Sequence, residues 1–344
     1  MKSKVSLVSL AALAVGALWL AFPGTYPYGA ADKVTVGVTH WIERDLGASL
    51  MLASGALGLL FGRFRAVAAV EAAFFLFVMS DAAVLSSLGY GAIPVMAVGV
   101  VGLVVIGCVR RHPAGYVAAV LLVAVAAWLI SSDVITTYLG NLGKGLGVYG
   151  GRVGWSWAMA IAAGTWGWTA FGDLIRHGSV GRWGRLVTVL ATLGGVPYAV
   201  ARLSWATPWP LGGYDPVTER IVLVMPGGDP ATRLQGLLIG AGAVMGVVLT
   251  FGLISRWGEV FPRWMPIVRG RPVPVMLAVV PGAFVSAALC ISAPGVLAGA
   301  AQTKYLLDAF LFVLLFPCPI WGPLLGAAVL SYWQRRRSAD QAIT

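Results

Sequence analysis

The sequence predicts an all-α fold, a polytopic membrane bundle of about ten transmembrane helices. Three observations carry that reading. Hydrophobic residues make up 59% of the chain and charged residues only 11%, whereas a soluble domain carries about 25% charged residues. The uncharged stretches are long enough to cross a bilayer, which takes about 20 apolar residues. The basic residues gather in alternate loops, the asymmetry that orients membrane helices.

The apolar runs fall at roughly 5–22, 46–62, 66–85, 93–109, 116–135, 153–171, 186–203, 234–254, 275–293 and 305–333. With the N-terminus inside, every second helix ends in a basic cluster. These are Arg63/Arg65, Arg110/Arg111, Arg176 to Arg185, Arg256 to Arg271 and Arg335 to Arg337. Sixteen of the 24 Lys and Arg fall inside on this scheme, and nine of the 13 acids fall outside. Both termini are therefore expected in the cytoplasm, and the protein in a bacterial plasma membrane. The same asymmetry accounts for the net charge of +11, so no nucleic acid is expected as a partner. Lys2 and Lys4 before the first run, with Gly29-Ala30-Ala31 after it, resemble a secretory signal. The run is long for a signal and contains Trp19, and is expected to stay uncleaved.

Helices one to four and seven to ten share a loop rhythm, which suggests a 4+2+4 parallel repeat. Its halves would be 1–112 and 186–337, with a two-helix insert at 113–185. Small-residue stripes (Gly58/Gly62 in one half, Gly236/Gly240 in the other) suit close packing of membrane helices. The inner segment Arg256 to Pro274 mixes Trp257, Phe261 and Trp264 with four arginines and one acid, Glu259. It is expected to lie flat on the inner surface, its rings in the interface and its guanidinium groups toward anionic lipid headgroups.

Charges within hydrocarbon are costly and mark candidate sites. Glu71 is the acid placed well inside a helix. Asp81, Asp133, Arg152, Arg202 and Asp308 stand at outer helix ends, where opposite charges around one polar cavity would offset each other's desolvation. The plain alternative is interfacial anchoring, with Lys304 and Asp308 as an i, i+4 pair. His40 and Glu43, three residues apart, would share a helix face and could act as an acid–base pair. Alternatively, Glu43 and Asp45 mark the polar first turn of the second helix. Prolines interrupt the last run at Phe316-Pro317-Cys318-Pro319 and the seventh at Gly194-Gly195-Val196-Pro197.

The absences narrow the chemistry. Cys108, Cys290 and Cys318 are far apart, with no CxxC or zinc spacing, and His112 and His177 sit in inner loops. No metal and no cofactor are expected. The chain has no P-loop, HExxH or GxSxG motif.

Two stretches, Arg202-Leu203-Ser204-Trp205-Ala206-Thr207-Pro208-Trp209-Pro210-Leu211-Gly212-Gly213 and Arg256-Trp257-Gly258-Glu259-Val260-Phe261-Pro262-Arg263-Trp264, are followed by Gly270-Arg271-Pro272-Val273-Pro274. Together they resemble a group of uncharacterised multi-pass membrane proteins of actinobacteria, over about the C-terminal half. The resemblance implies a plasma-membrane protein of a high-GC bacterium and brings no function with it. Three functional classes stay open. The first is a transporter-like or small-ligand-binding protein, with Arg202 as the contact for an anionic group. The second is an enzyme acting on a lipid-linked substrate at the outer face, and the third an accessory or scaffold subunit without ligand.

Overall fold

The computed structural model describes residues 2–28, 37–111, 113–177, 183–215, 220–224, 230–263 and 269–341. Gly29-Ala30-Ala31, His112, Arg182 and Trp264 lie outside the described residues. The helices are α1 (Lys2–Ala21), α2 (Arg44–Phe61), α3 (Arg65–Ala73), α4 (Val84–Val109), α5 (Pro113–Ser131), α6 (Val134–His177), α7 (Trp183–Leu203), α8 (Pro230–Gly252), α9 (Val275–Ala301), α10 (Leu306–Leu315) and α11 (Cys318–Gln341). A two-stranded antiparallel hairpin, β1 (Leu211–Asp215) and β2 (Arg220–Val224), interrupts the α7–α8 connection.

Among the described residues eight helices are long and apolar enough to cross a membrane, where the sequence pattern suggests about ten. The run at 66–85 is divided. It holds α3, a single π turn at Phe74–Val78 and a bend before α4, so no part of it reaches about 20 residues. The run at 153–171 is the C-terminal part of α6, a 44-residue helix that continues through the expected outer loop at 136–152. Glycine permits helix there at a modest cost, and no proline breaks the register. At about 1.5 Å per residue α6 extends about 66 Å, roughly twice a hydrocarbon core. The run at 305–333 is split into α10 and α11 at Phe316-Pro317.

Large apolar side chains cover the outside of the bundle. Val98 is 74% exposed, Val109 77% and Val120 68%. In water such surface would drive aggregation, whereas in lipid it is the ground state. The chain is an integral membrane protein. Its interior is built around two main cores. The first joins α1, α2, α3, the π turn and α6 through Trp19, Met51, Ala68, Phe75 and Trp166. The second joins α7, α9 and α11 through Ala191, Leu289, Trp321 and Leu325. A small patch of Val84, Ala288 and Ile291 connects them. Thus α6, from the expected insert, completes the N-terminal bundle. Cys108, Cys290 and Cys318 are free.

The α1–α2 contact is backbone on backbone. A Cβ at Gly55 would stand 2.7 Å from the Ser9 carbonyl and 2.8 Å from the Leu13 nitrogen, whereas one at Gly143 would meet nothing within 4 Å. Gly55→Val is therefore expected to destabilise the protein by about 1–3 kcal/mol through overpacking. Gly143→Val, also mid-helix, is expected to stay within about 0.5 kcal/mol. Unfolding of the two purified variants in mixed SDS micelles checks the contrast; equal midpoints would refute the close crossing.

Candidate functional site

The expected outer residues are distributed over separate places. The π turn after α3, in which the Met79 amide reaches back to the Phe74 carbonyl, redirects the chain so that Ser80 and Asp81 turn inward. Both are fully buried. Arg152 and Ser156, one turn apart on α6, face them. The Arg152 Nε donates to Asp81 Oδ2 at 3.0 Å. Asp81 Oδ1 accepts the Ala83 amide at 2.8 Å and the Ser156 hydroxyl at 3.4 Å. The Tyr28 hydroxyl donates to the Met79 carbonyl. Opposite charges meeting, with both carboxylate oxygens hydrogen-bonded, offset the desolvation of both. The result is a knot that ties the α3–α4 bend to α6 and to the loop after α1. Arg152 is engaged here rather than lining an outer cavity.

Asp133 is exposed in the turn between α5 and α6, at φ 54°. Arg152 is 19 positions further along the chain, about 28 Å along the axis. Asp308 is buried in the first turn of α10, where a carboxylate complements the helix dipole. Tyr305 is extended, so Lys304 precedes the helix and lies over the Tyr305 ring, 5.7 Å from its centre, instead of forming an i, i+4 pair with Asp308. Glu71 is buried against α2, where the Ser54 hydroxyl donates to its Oε2. Arg65 points away to α6, its Nε on the Ala170 carbonyl at 3.0 Å.

His40 and Glu43 do not share a helix face. His40 is in a 3-10 turn that ends at Trp41, Ile42 is extended, and Glu43 is the exposed residue preceding α2. With the two on different elements, the acid–base pairing expected from their spacing loses its basis. Among the described residues no group of three metal-ligating side chains forms.

Arg202 stands apart from these. It lies in the last turn of α7, one turn beyond Tyr198, which follows Pro197. Its guanidinium carbon is 5.3 Å from the centre of the Tyr198 ring, 4.7 Å from that of Trp205 and 5.8 Å from that of Phe316. Three elements hold this cage. Tyr198 comes from α7, and its ring packs 5.7 Å from that of Phe316. Trp205 is fixed by its indole N–H on the Leu211 carbonyl at 3.0 Å, and by Gly236 of α8, where a Cβ would stand 2.7 Å from the indole. Phe316 is the first of the two non-helical residues between α10 and α11. The guanidinium forms no hydrogen bond or ion pair among the described residues. It therefore presents five N–H donors beside a break in a membrane helix.

Comparison with protein-family models, curated proteins and solved structures gave no match. The sequence pattern marked Arg202 and the Phe316-Pro317 interruption as separate features. That they meet, and that Asp81 takes Arg152, are contacts between distant segments. The Arg152/Ser156 spacing on one face of α6 was the signal available for the second.

Proposed function

We propose that this protein binds a small organic anion, carboxylate or phosphate, at Arg202 and belongs to the transporter-like class. The observation that supports the reading is the guanidinium of Arg202, stacked among three rings with its donors unspent. Stacking fixes the plane of the fork and leaves its edge for bidentate recognition of an anion. Irregular backbone at membrane depth is tolerated where it lines a cavity or a binding site, and paired interruptions mark such sites in transporters. Here the α10–α11 break and the Pro197-bearing end of α7 come together at the same guanidinium. In this reading the arginine-rich end of the bundle and both termini face the cytoplasm of a bacterial cell, and Arg202 faces outward.

Native mass spectrometry of the gently purified protein beside Arg202→Ala tests the reading. The expected result is an adduct of defined mass on the wild-type chain that the variant lacks. Identical spectra from the two would remove Arg202 as the ligand contact and favour a scaffold.

A further inference from the structure

A second feature lies toward the arginine-rich end of the bundle. α8 packs on α7 and α9 on α11, but α8 and α9 barely touch. The gap between them is a cavity of about 780 Å³. Leu249 of α8, Leu277 and Pro281 of α9 and Trp321 of α11 line its walls, and Trp257 and Phe261 close its floor. The lining is apolar side chains and glycines apart from Thr250, whose hydroxyl donates to the Gly246 carbonyl of its own helix at 2.7 Å. Leu249 and Leu277 are each more than half exposed, so the cavity opens sideways, toward hydrocarbon.

The described part of the segment expected to lie on the inner surface, residues 256–263 and 269–274, folds back on itself to make the floor. Val260 bridges Pro272, the Phe261 amide donates to the Arg271 carbonyl at 3.0 Å, and the Gly270 amide donates to Phe261 at 3.0 Å. α11 pins this fold from behind. The Tyr332 hydroxyl donates to the Gly258 carbonyl at 2.8 Å, Arg335 to the Leu253 carbonyl at 2.6 Å, and Arg336 to the carbonyls of Glu259 and Val273 at 3.1 and 3.2 Å. Arg335 also meets Glu259, the one acid of the segment, at 3.3 Å. Arg256, Arg263, Arg269 and Arg271 stay exposed around the floor. An apolar, laterally open cavity thus ends in a rim of positive charge. Those two features match the tail and the head of one molecule.

We infer that the cavity holds an acyl chain of an anionic phospholipid, whose phosphate is met by the arginine rim. The apolar lining suits a chain rather than a ligand held by several placed polar groups, and each buried methylene contributes about 0.8 kcal/mol. Each basic residue near an anionic headgroup adds about 1 kcal/mol. Glycines make the seat. A Cβ at Gly252 would stand 2.3 Å from the Trp257 ring, and one at Gly282 would stand 2.6 Å from a Val329 methyl.

The full chain, purified and supplied with phosphatidylglycerol or phosphatidylcholine of the same acyl chains, is examined by native mass spectrometry. The wild type is expected to retain phosphatidylglycerol under activation that strips phosphatidylcholine. Ala278→Trp, which fills the cavity, is expected to lower retention about tenfold, and the double variant Arg256→Gln/Arg271→Gln to abolish the preference between the lipids. Equal retention of both lipids by the wild type, or undiminished retention by a folded Ala278→Trp, overturns the inference. Since that variant can fail to fold, phosphatidylglycerol bearing a diazirine on one acyl chain is also photolysed with the wild type. Label on Leu249, Leu277 or Phe261 supports the site, and label confined to the exposed faces of α4 and α5 overturns it. Arg202→Ala leaves all of these outcomes unchanged, so this inference and the anion site fail independently.

Discussion

Asp81→Ala is expected to destabilise the protein by about 3–5 kcal/mol, the range for removing one member of a buried ion pair. The side chain of Asp81 has no solvent access and that of Arg152 only 9%. The variant therefore leaves the nearly buried guanidinium without the carboxylate that its Nε contacts. It also frees the Ala83 amide at the start of α4 and removes an acceptor of the Ser156 hydroxyl on α6. Arg152→Ala is expected to fall in the same range, because it strands the carboxylate instead. Asp81→Ala/Arg152→Ala removes both partners together, and its destabilisation should fall short of the summed single effects by about 0.5–3 kcal/mol. SDS titration of the four proteins, followed by tryptophan fluorescence, gives the cycle. Strict additivity would show that the pair contributes no coupling and would reduce the knot to two independent packing sites. The assignment matters for function as well: a guanidinium with its counter-ion in place is a poor contact for a passing anion.

The membrane bundle was legible because lipid imposes a simple rule on composition. α1, α2, α4, α5, α7, α8 and α9 each contain or largely overlap one apolar run. The departures arise where backbone geometry, rather than hydropathy, decides. The residues at 74–78 form a π turn although Phe74-Phe75-Leu76-Phe77-Val78 reads as continuous apolar helix. The Gly-rich stretch at 140–151 reads as loop but is helical, since glycine lowers helix propensity without forbidding it. The prolines at 317 and 319 signalled an interruption, and the structure makes it a full break between two helices. For the site, residue types were visible and partners were not. Asp81 and Arg152 are 71 positions apart, and no periodicity relates them. The α8–α9 cavity was invisible for a different reason. A gap is defined by helices that do not pack, and amphipathic patterns record only those that do.

Arg202→Lys separates the two properties the anion reading assigns to the guanidinium, its charge and its planar fork. Arg202→Ala is expected to weaken binding of the identified ligand by about 2 kcal/mol, roughly 30-fold, the lower end for a charged contact because the site is half-buried. Lysine keeps the charge but supplies a point donor where arginine supplies two parallel N–H groups, and it cannot stack as a plane on Tyr198 and Trp205. It should therefore recover only part of the loss, leaving binding about tenfold weaker than wild type. Phe316→Leu keeps the whole guanidinium and removes one ring of the cage, with an expected effect of about 0.5–1 kcal/mol. Isothermal titration of the four proteins with the ligand found by mass spectrometry gives the order wild type, Phe316→Leu, Arg202→Lys, Arg202→Ala. Lysine binding as tightly as arginine would mean that charge alone attracts the ligand. In that case the ring cage holds α7 to the α10–α11 break and takes no part in recognition. The predicted order instead requires the fork to be held in one plane, which is what three rings drawn from α7, the loop after it and the α10–α11 break provide.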